Sequence, residues 1–154
     1  MGRKTKRRLQ LGSFILLVLY IAVLMYVCFI SEDYGRDTVS SYYRYNLIPF
    51  KEIRRFYFYR DIVGIRAFVT NLFGNVIAFM PFGFFMPVLR KKERQIGRMA
   101  FLTFLLSLFI ETVQLLTRVG SFDVDDLILN TLGGILGYVL FYILNKIRRM
   151  FDGA

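Results

Sequence analysis

Histidine and tryptophan are absent from this chain of 154 residues, which contains one cysteine and three prolines. Without histidine there is no imidazole to act as a general base near neutral pH or to bind zinc. Cys28 can form no internal disulfide, and its place in a long apolar run is typical of a small packing or lipid-facing residue. No serine or cysteine stands in a recognisable nucleophile motif, so the sequence does not indicate a familiar hydrolase triad.

The chain is instead rich in apolar side chains: 56% of its residues are hydrophobic, 18% are aromatic, and the mean hydropathy is +0.48. Four apolar runs have the roughly 17 to 25 residues that a helix needs to cross a bilayer. The first is longer than the core of a signal peptide, and bulky residues precede Cys28, so we interpret it as a membrane helix. We predict an all-α integral membrane bundle of four transmembrane helices, at residues 11–30, 67–89, 99–117 and 127–145.

The basic residues predict the orientation of the bundle. Five of them precede the first run, five lie in residues 90–98, and three follow the fourth run. We expect both termini and the 90–98 loop to be cytoplasmic, so the net charge of +10 reflects topology and does not indicate nucleic-acid binding. The chain then divides into a basic cytoplasmic N-terminus (1–10), a first transmembrane helix (11–30), an outer aromatic and basic loop (31–66), a core of three transmembrane helices (67–145) and a basic cytoplasmic tail (146–154).

The outer loop interleaves aromatic with basic side chains, which is typical of a segment at the level of the lipid headgroups. Pro49 precedes a stretch in which Ile53, Phe56 and Tyr57 share one helical face. We predict a short interfacial helix there. Such a loop either anchors the protein at the membrane surface or binds anionic or amphiphilic molecules.

Glu111 is the one charged residue in the third apolar run. An ionised carboxylate at that depth costs at least a few kcal/mol, so it should face the protein interior and have polar partners. With a rise of about 1.5 Å per residue, other polar residues lie at a similar depth in the outer half of the membrane. We predict a polar pocket around Glu111 formed by Asn71, Asn75, Gln114, Asp123, Asp125, Asp126 and Asn130.

Several of these residues also have purely structural interpretations. The asparagines and Gln114 can act as hydrogen-bonding links between helices, at about 0.6 to 2 kcal/mol per contact. Asp123 can cap the last helix, with Asp126 in its first turn. Asp123, Asp125 and Asp126 form an oxygen-only set that suits Mg²⁺, Ca²⁺ or Mn²⁺, but a helix start explains the cluster more economically. We expect no metal and no cofactor.

Small residues and prolines indicate how the helices pack. Gly133 and Gly137 form a Gly-x-x-x-Gly spacing, which allows close helix approach. Pro81 and Pro87 lie in the second run and predict a kink there.

Four segments of the sequence resemble one family in type, order and spacing. They are Asn-Leu-Ile-Pro-Phe at 46–50, Asn-Leu-Phe-Gly-Asn-Val-Ile-Ala-Phe-Met-Pro-Phe-Gly at 71–83, Glu-Thr-Val-Gln at 111–114 and Phe-Asp-Val-Asp-Asp-Leu-Ile-Leu-Asn-Thr-Leu-Gly-Gly at 122–134. The chain resembles the VanZ-like membrane proteins over about residues 46–138. The resemblance implies a small multi-pass protein of the bacterial cell membrane, and its first segment adds Asn46 to the residues of the pocket. We also include Arg118, because it lies about two helical turns outward from Glu111 and its long side chain can bend back part of the way.

The resemblance also implies a function, because the founding member of the family confers low-level resistance to teicoplanin, a glycopeptide with a lipid tail. The hypothesis we favour is a non-enzymatic protein that binds a lipid or amphiphile in the outer leaflet. One alternative is an intramembrane enzyme that acts on a lipid-linked envelope substrate, with Glu111 as its acid or base. Another is a small transporter subunit, which would have to form a homo-oligomer to build a path.

Overall fold

The computed structural model describes residues 3–30 and 41–152. Four of its helices are long and apolar enough to cross a membrane, so the predicted all-α bundle is confirmed. The elements in chain order are α1 (Arg3–Phe29), β1 (Tyr45–Asn46), α2 (Lys51–Phe58), α3 (Arg60–Val63), α4 (Ile65–Leu89), a 3₁₀ turn (Lys91–Glu93), α5 (Ile96–Thr117), β2 (Phe122–Asp123) and α6 (Val124–Asp152).

Helices α4 and α6 form the most extensive contact in the bundle. A Cβ atom on Gly133 would overlap the carbonyl oxygen of Val76, and one on Gly137 would overlap that of Met80. On the other side of the interface, a Cβ on Gly83 would meet the backbone of Gly134. The two helices therefore approach at backbone distance, as the Gly-x-x-x-Gly spacing predicts.

Helix α1 is attached to this core by a narrower contact. Leu24 is its one buried side chain among the described residues, and it packs with Phe79 and Ile110. The hydroxyl of Tyr20 donates a hydrogen bond of 2.7 Å to the carbonyl oxygen of Ala78. This contact brings α1 against α4 at the depth of Glu111.

The first loop contains the short helix that the sequence predicts, at Lys51–Phe58, followed by a single turn, α3. Ile53 and Phe56 are half-buried, whereas Tyr57 and the two aromatic residues after it are exposed. Residues 31–40, which form the first part of the predicted outer loop, lie outside the described residues.

A pair of parallel two-residue strands joins this loop to the start of α6. Tyr45 lies opposite Phe122, and Asn46 lies opposite Asp123. Strands this short have no detectable alternation of polar and apolar residues, so the sequence did not predict them. We refer to the end of the bundle that carries this pair and α2 as the loop end, and to the opposite end, which carries residues 90–95, as the basic end.

Candidate functional site

The candidate site begins on the buried face of α5. Thr103, Ser107, Glu111 and Gln114 are each at most 3% exposed and are spaced four, four and three residues apart. This spacing places them on one side of the helix. Because Phe101, Phe104 and Phe109 are exposed on other sides of α5, the helix turns its polar side chains toward the protein, as a membrane environment requires.

Glu111 has a partner at the loop end of the bundle. Its Oε2 accepts a hydrogen bond of 3.0 Å from the backbone amide of Asp123. The carboxylate is therefore fixed against the residue that immediately precedes α6. A buried carboxylate with a hydrogen-bond donor is much less costly than an unpartnered one.

Asp123 in turn connects Glu111 to the first loop. Its Oδ1 accepts hydrogen bonds from the backbone amide of Asp125, at 2.8 Å, and from the side-chain amide of Asn46, at 3.0 Å. The first of these bonds is that of a helix N-cap, one of the two roles that the sequence allows for Asp123. Burial raises the pKa of the Asp123 carboxyl above its usual value, against the lowering effect of both hydrogen bonds.

Asp125 has a role that the sequence analysis did not foresee. Its side chain is 1% exposed and accepts hydrogen bonds from three backbone amides at the start of α2. One oxygen binds the amide of Phe50, and the other binds those of Glu52 and Ile53 at 2.8 and 3.1 Å. The carboxylate thus caps α2 from a different helix, where it meets the positive end of the helix dipole.

The third aspartate, Asp126, accepts a hydrogen bond from the side-chain amide of Asn75 on α4. The carboxylates of Asp123, Asp125 and Asp126 therefore face three different partners. Within the described ranges there is no group of three or more His, Cys, Asp or Glu side chains that could hold a metal ion. The arrangement accounts for all three aspartates through hydrogen bonds to the protein.

A cavity of about 70 Å³ lies where α1, α4, α5 and α6 meet. This volume accommodates a few water molecules or one small polar group. Among the described residues no lysine or arginine lines it, and its polar wall consists of carboxylates, amides and a hydroxyl. The polar side chains that line it are those of Thr70, Asn75, Glu111, Gln114, Asp126 and Asn130.

Two amide side chains complete this wall. Gln114 donates a hydrogen bond of 2.9 Å to the carbonyl oxygen of Cys28, and Asn130 donates one of 2.9 Å to the hydroxyl of Ser107. The Oδ1 atom of Asn130 is buried and has no hydrogen-bond partner among the described residues. A buried acceptor without a donor costs roughly 1 to 3 kcal/mol. A hydrogen-bond donor that entered the cavity and reached this oxygen would remove that cost.

Five of the ten predicted pocket residues line the cavity, and three more do not line it but are connected to Glu111 by hydrogen bonds: Asn46, Asp123 and Asp125. The remaining two, Asn71 and Arg118, do neither. Asn71 is half-buried, does not line the cavity and makes no side-chain hydrogen bond to the described part of the chain. Arg118 ends α5 in a left-handed conformation, with φ 59°, and its guanidinium lies 4.5 Å from the centre of the Tyr43 ring. Its guanidinium also donates a hydrogen bond of 3.4 Å to the hydroxyl of Tyr43, so its charge lies against the first loop.

Other residues at the site were not selected by the sequence analysis. Ser107 lies one helical turn before Glu111 and Thr103 one turn before that, so the same spacing of four could have identified both. Cys28 and Thr70 line the cavity as well. Nothing in the sequence distinguishes them, because their position depends on how α1 and α4 pack.

Comparisons with known proteins agree with this picture. A family model described as VanZ/LLP1 matches residues 17–145 of the chain. Protein VanZ of Enterococcus faecium is 32% identical over 133 residues, which is 85% of this chain and 74% of that protein. No solved structure matches the chain at a significant level. The family match spans most of the chain and includes all four candidate membrane helices in whole or in large part. The chain therefore belongs to the VanZ-like family of membrane proteins.

Proposed function

We propose that this protein binds a lipid or amphiphile in the outer leaflet of the bacterial cell membrane and so contributes to low-level resistance to lipophilic glycopeptides such as teicoplanin. The observation that carries the proposal is the Glu111 cavity, a polar space among membrane-spanning helices. Polar groups at that depth are costly unless water or a bound group satisfies them. A protein whose only role was to attach a loop to the membrane surface would gain nothing from such a cavity. The similarity to Protein VanZ supports the link to resistance.

The lining of the cavity favours a particular kind of polar group. Glu111 and Asp126 contribute carboxylates, and Asn130 contributes a carbonyl oxygen that lacks a donor. Since no lysine or arginine stands among the described lining residues, these acceptors repel phosphate and favour an ammonium or hydroxyl group. At about 70 Å³ the cavity holds one such group, and the rest of the amphiphile would lie outside it.

The loop end offers a surface for that remainder. Tyr57, Phe58 and Tyr59 are more than half exposed there, and the guanidinium of Arg60 lies 5.1 Å from the centre of the Tyr57 ring. Aromatic and basic side chains of this kind bind amphiphiles at the headgroup level. Under the proposed topology, with both termini cytoplasmic, this end faces outward, where a glycopeptide would approach.

The proposal is tested by expressing the wild type and three variants in a glycopeptide-susceptible Gram-positive host. Glu111→Gln keeps an oxygen that can accept from the amide of Asp123 but removes the charge, so we expect a partial loss of teicoplanin resistance. Glu111→Ala removes both, and we expect a complete loss. Thr112→Val is the matched control, since Thr112 is exposed on the same helix and its hydroxyl donates a hydrogen bond to the carbonyl oxygen of Leu108, one turn earlier.

Membrane levels of each variant are measured in parallel, and vancomycin, which lacks the lipid tail, serves as the second antibiotic. Equal protection by the wild type and Glu111→Ala would remove the cavity from the proposal. Turnover of a labelled lipid-linked precursor by the purified wild type, abolished in Glu111→Gln, would favour the enzyme alternative instead.

A further inference from the structure

Arg94, Arg148 and Arg149 all lie at the basic end, near enough for the charges of the last two to act on Arg94. Arg94 belongs to the connection between α4 and α5, while Arg148 and Arg149 lie in the last turns of α6. Burial, together with the nearby charges of Arg149 and Arg148, lowers the pKa of Arg94. Like charges repel, so a cluster of this kind favours an anion between its members.

Arg94 is held in a defined orientation within this cluster. Its Nε donates a hydrogen bond of 3.0 Å to the carbonyl oxygen of Pro87, and its guanidinium lies 5.4 Å from the centre of the Phe141 ring. Neither of the ion pairs among the described side chains includes Arg94. Its two terminal nitrogens therefore keep their donors available in a fixed position, which suits a phosphate oxygen.

An apolar groove of about 290 Å³ lies between α4 and α6, and Phe84 in its wall connects it to Arg94 through the ring of Phe141. Phe84 in the groove wall packs edge to face on Phe141, with 6.4 Å between the ring centres, and Arg94 lies against that same Phe141 ring. The Phe141 ring thus contacts both the Arg94 guanidinium and the wall of the apolar groove. The groove is lined by Met80, Pro81, Phe84, Phe85, Leu140 and Leu144.

We propose that this combination is a binding site for one anionic phospholipid, with the phosphate at Arg94 and Arg149 and an acyl chain in the groove between α4 and α6. Charge complementarity selects the anionic headgroup, and the apolar groove distinguishes a lipid from a free phosphate ion. Basic pockets between membrane helices on the cytoplasmic side bind anionic headgroups in this manner. The site lies at the opposite end from the Glu111 cavity and does not depend on the function proposed for that cavity.

The test measures the lipid that stays bound to the purified full-length protein by native mass spectrometry. The protein is equilibrated in neutral detergent with equal amounts of phosphatidylglycerol and phosphatidylcholine of identical acyl chains. We expect the wild type to retain phosphatidylglycerol preferentially. Because one basic residue near an anionic lipid surface changes binding roughly fivefold, Arg94→Gln should lower this preference by about that factor.

Two further variants make the result specific. Arg149→Gln should lower the preference as well, and because Arg149 is exposed, it tests the site without disturbing the fold. Arg98→Gln is the matched control, since the exposed Arg98 guanidinium binds the carbonyl oxygen of Lys92 instead of facing Phe141. It should change the preference less than twofold.

The proposal is overturned if the wild type shows no preference between the two lipids, or if Arg98→Gln lowers it as much as Arg94→Gln does. Either result would mean that net charge alone attracts the lipid. A large excess of inorganic phosphate should not displace phosphatidylglycerol; complete displacement would show a free-anion site and also contradict the proposal.

Discussion

Asp125 should control whether α2 stays attached to the bundle. Its carboxylate accepts hydrogen bonds from the amides of Phe50, Glu52 and Ile53, and no side chain of α2 is fully buried. Asp125→Asn keeps the volume but replaces one oxygen with a donor and removes the charge. The substitution therefore loses at least one charge-assisted hydrogen bond, at roughly 1.5 to 3 kcal/mol, as well as a favourable helix-dipole interaction of roughly 0.3 to 1 kcal/mol.

Together these losses amount to about 3 kcal/mol, or roughly 100-fold in the equilibrium between attached and detached α2. Hydrogen exchange of the protein in lipid nanodiscs, followed by mass spectrometry, measures that equilibrium directly. The amides of residues 51–58 should exchange roughly 100-fold faster in Asp125→Asn, whereas those of α4 and α6 should not change, because their contact does not involve α2.

Asp61→Asn is the control for this experiment. The Asp61 side chain is 89% exposed and lies 3.9 Å from Arg60, so the same change of charge there should leave exchange unaltered. Unchanged exchange of residues 51–58 in Asp125→Asn would refute the reasoning. So would a wild type in which these amides already exchange without protection.

Three other predictions follow from the same contacts. Gly137→Ala should lower the free energy of unfolding by about 1 to 3 kcal/mol, because its Cβ would overlap the Met80 carbonyl oxygen. Gly97→Ala should not lower it, because a Cβ there meets open space, and thermal unfolding in detergent compares the two variants. Since burial raises the pKa of Asp123 in the folded protein, its contribution to stability is largest below the unfolded pKa of about 3.9 and falls as pH rises through the folded pKa. Asp123→Asn should remove this slope from thermal unfolding measured between pH 4 and 7, while Asp61→Asn keeps it. In a Cys28→Ala background, a membrane-impermeant thiol reagent applied to cells should label Asp37→Cys, a position outside the described residues, and should spare Lys92→Cys; the reverse pattern would contradict the proposed topology.

The sequence allowed the four long helices to be predicted because each contains a predominantly apolar run of membrane-spanning length. It also indicated the depth of the polar residues, since depth follows from counting residues along a helix. Glu111, Asn75, Asp126 and Asn130 accordingly share one cavity. Counting residues along a helix does not, however, give the rotation of that helix about its axis. For that reason Asn71, four residues before Asn75, was included although it does not line the cavity.

The contacts between distant segments were also beyond the sequence analysis. The acidic cluster at 123–126 was interpreted as a helix start or a metal site, because nothing in its spacing reveals that Asp125 caps α2 from 72 to 75 residues away. Such a contact depends on the tertiary fold that pairs β1 with β2. Arg118 likewise turns toward Tyr43 because α5 ends in a left-handed conformation, which a single sequence does not specify.

The most direct test of the central claim is binding of teicoplanin to the purified protein in lipid nanodiscs, with empty nanodiscs as the reference and vancomycin as the glycopeptide without a lipid tail. The proposal predicts saturable binding of teicoplanin above the reference and no such binding of vancomycin. It further predicts that Glu111→Gln weakens the teicoplanin affinity by about tenfold, which corresponds to the loss of one charge-assisted hydrogen bond of roughly 1.5 kcal/mol. Equal affinity of wild type and Glu111→Gln for teicoplanin, or binding no greater than that of empty nanodiscs, would contradict it.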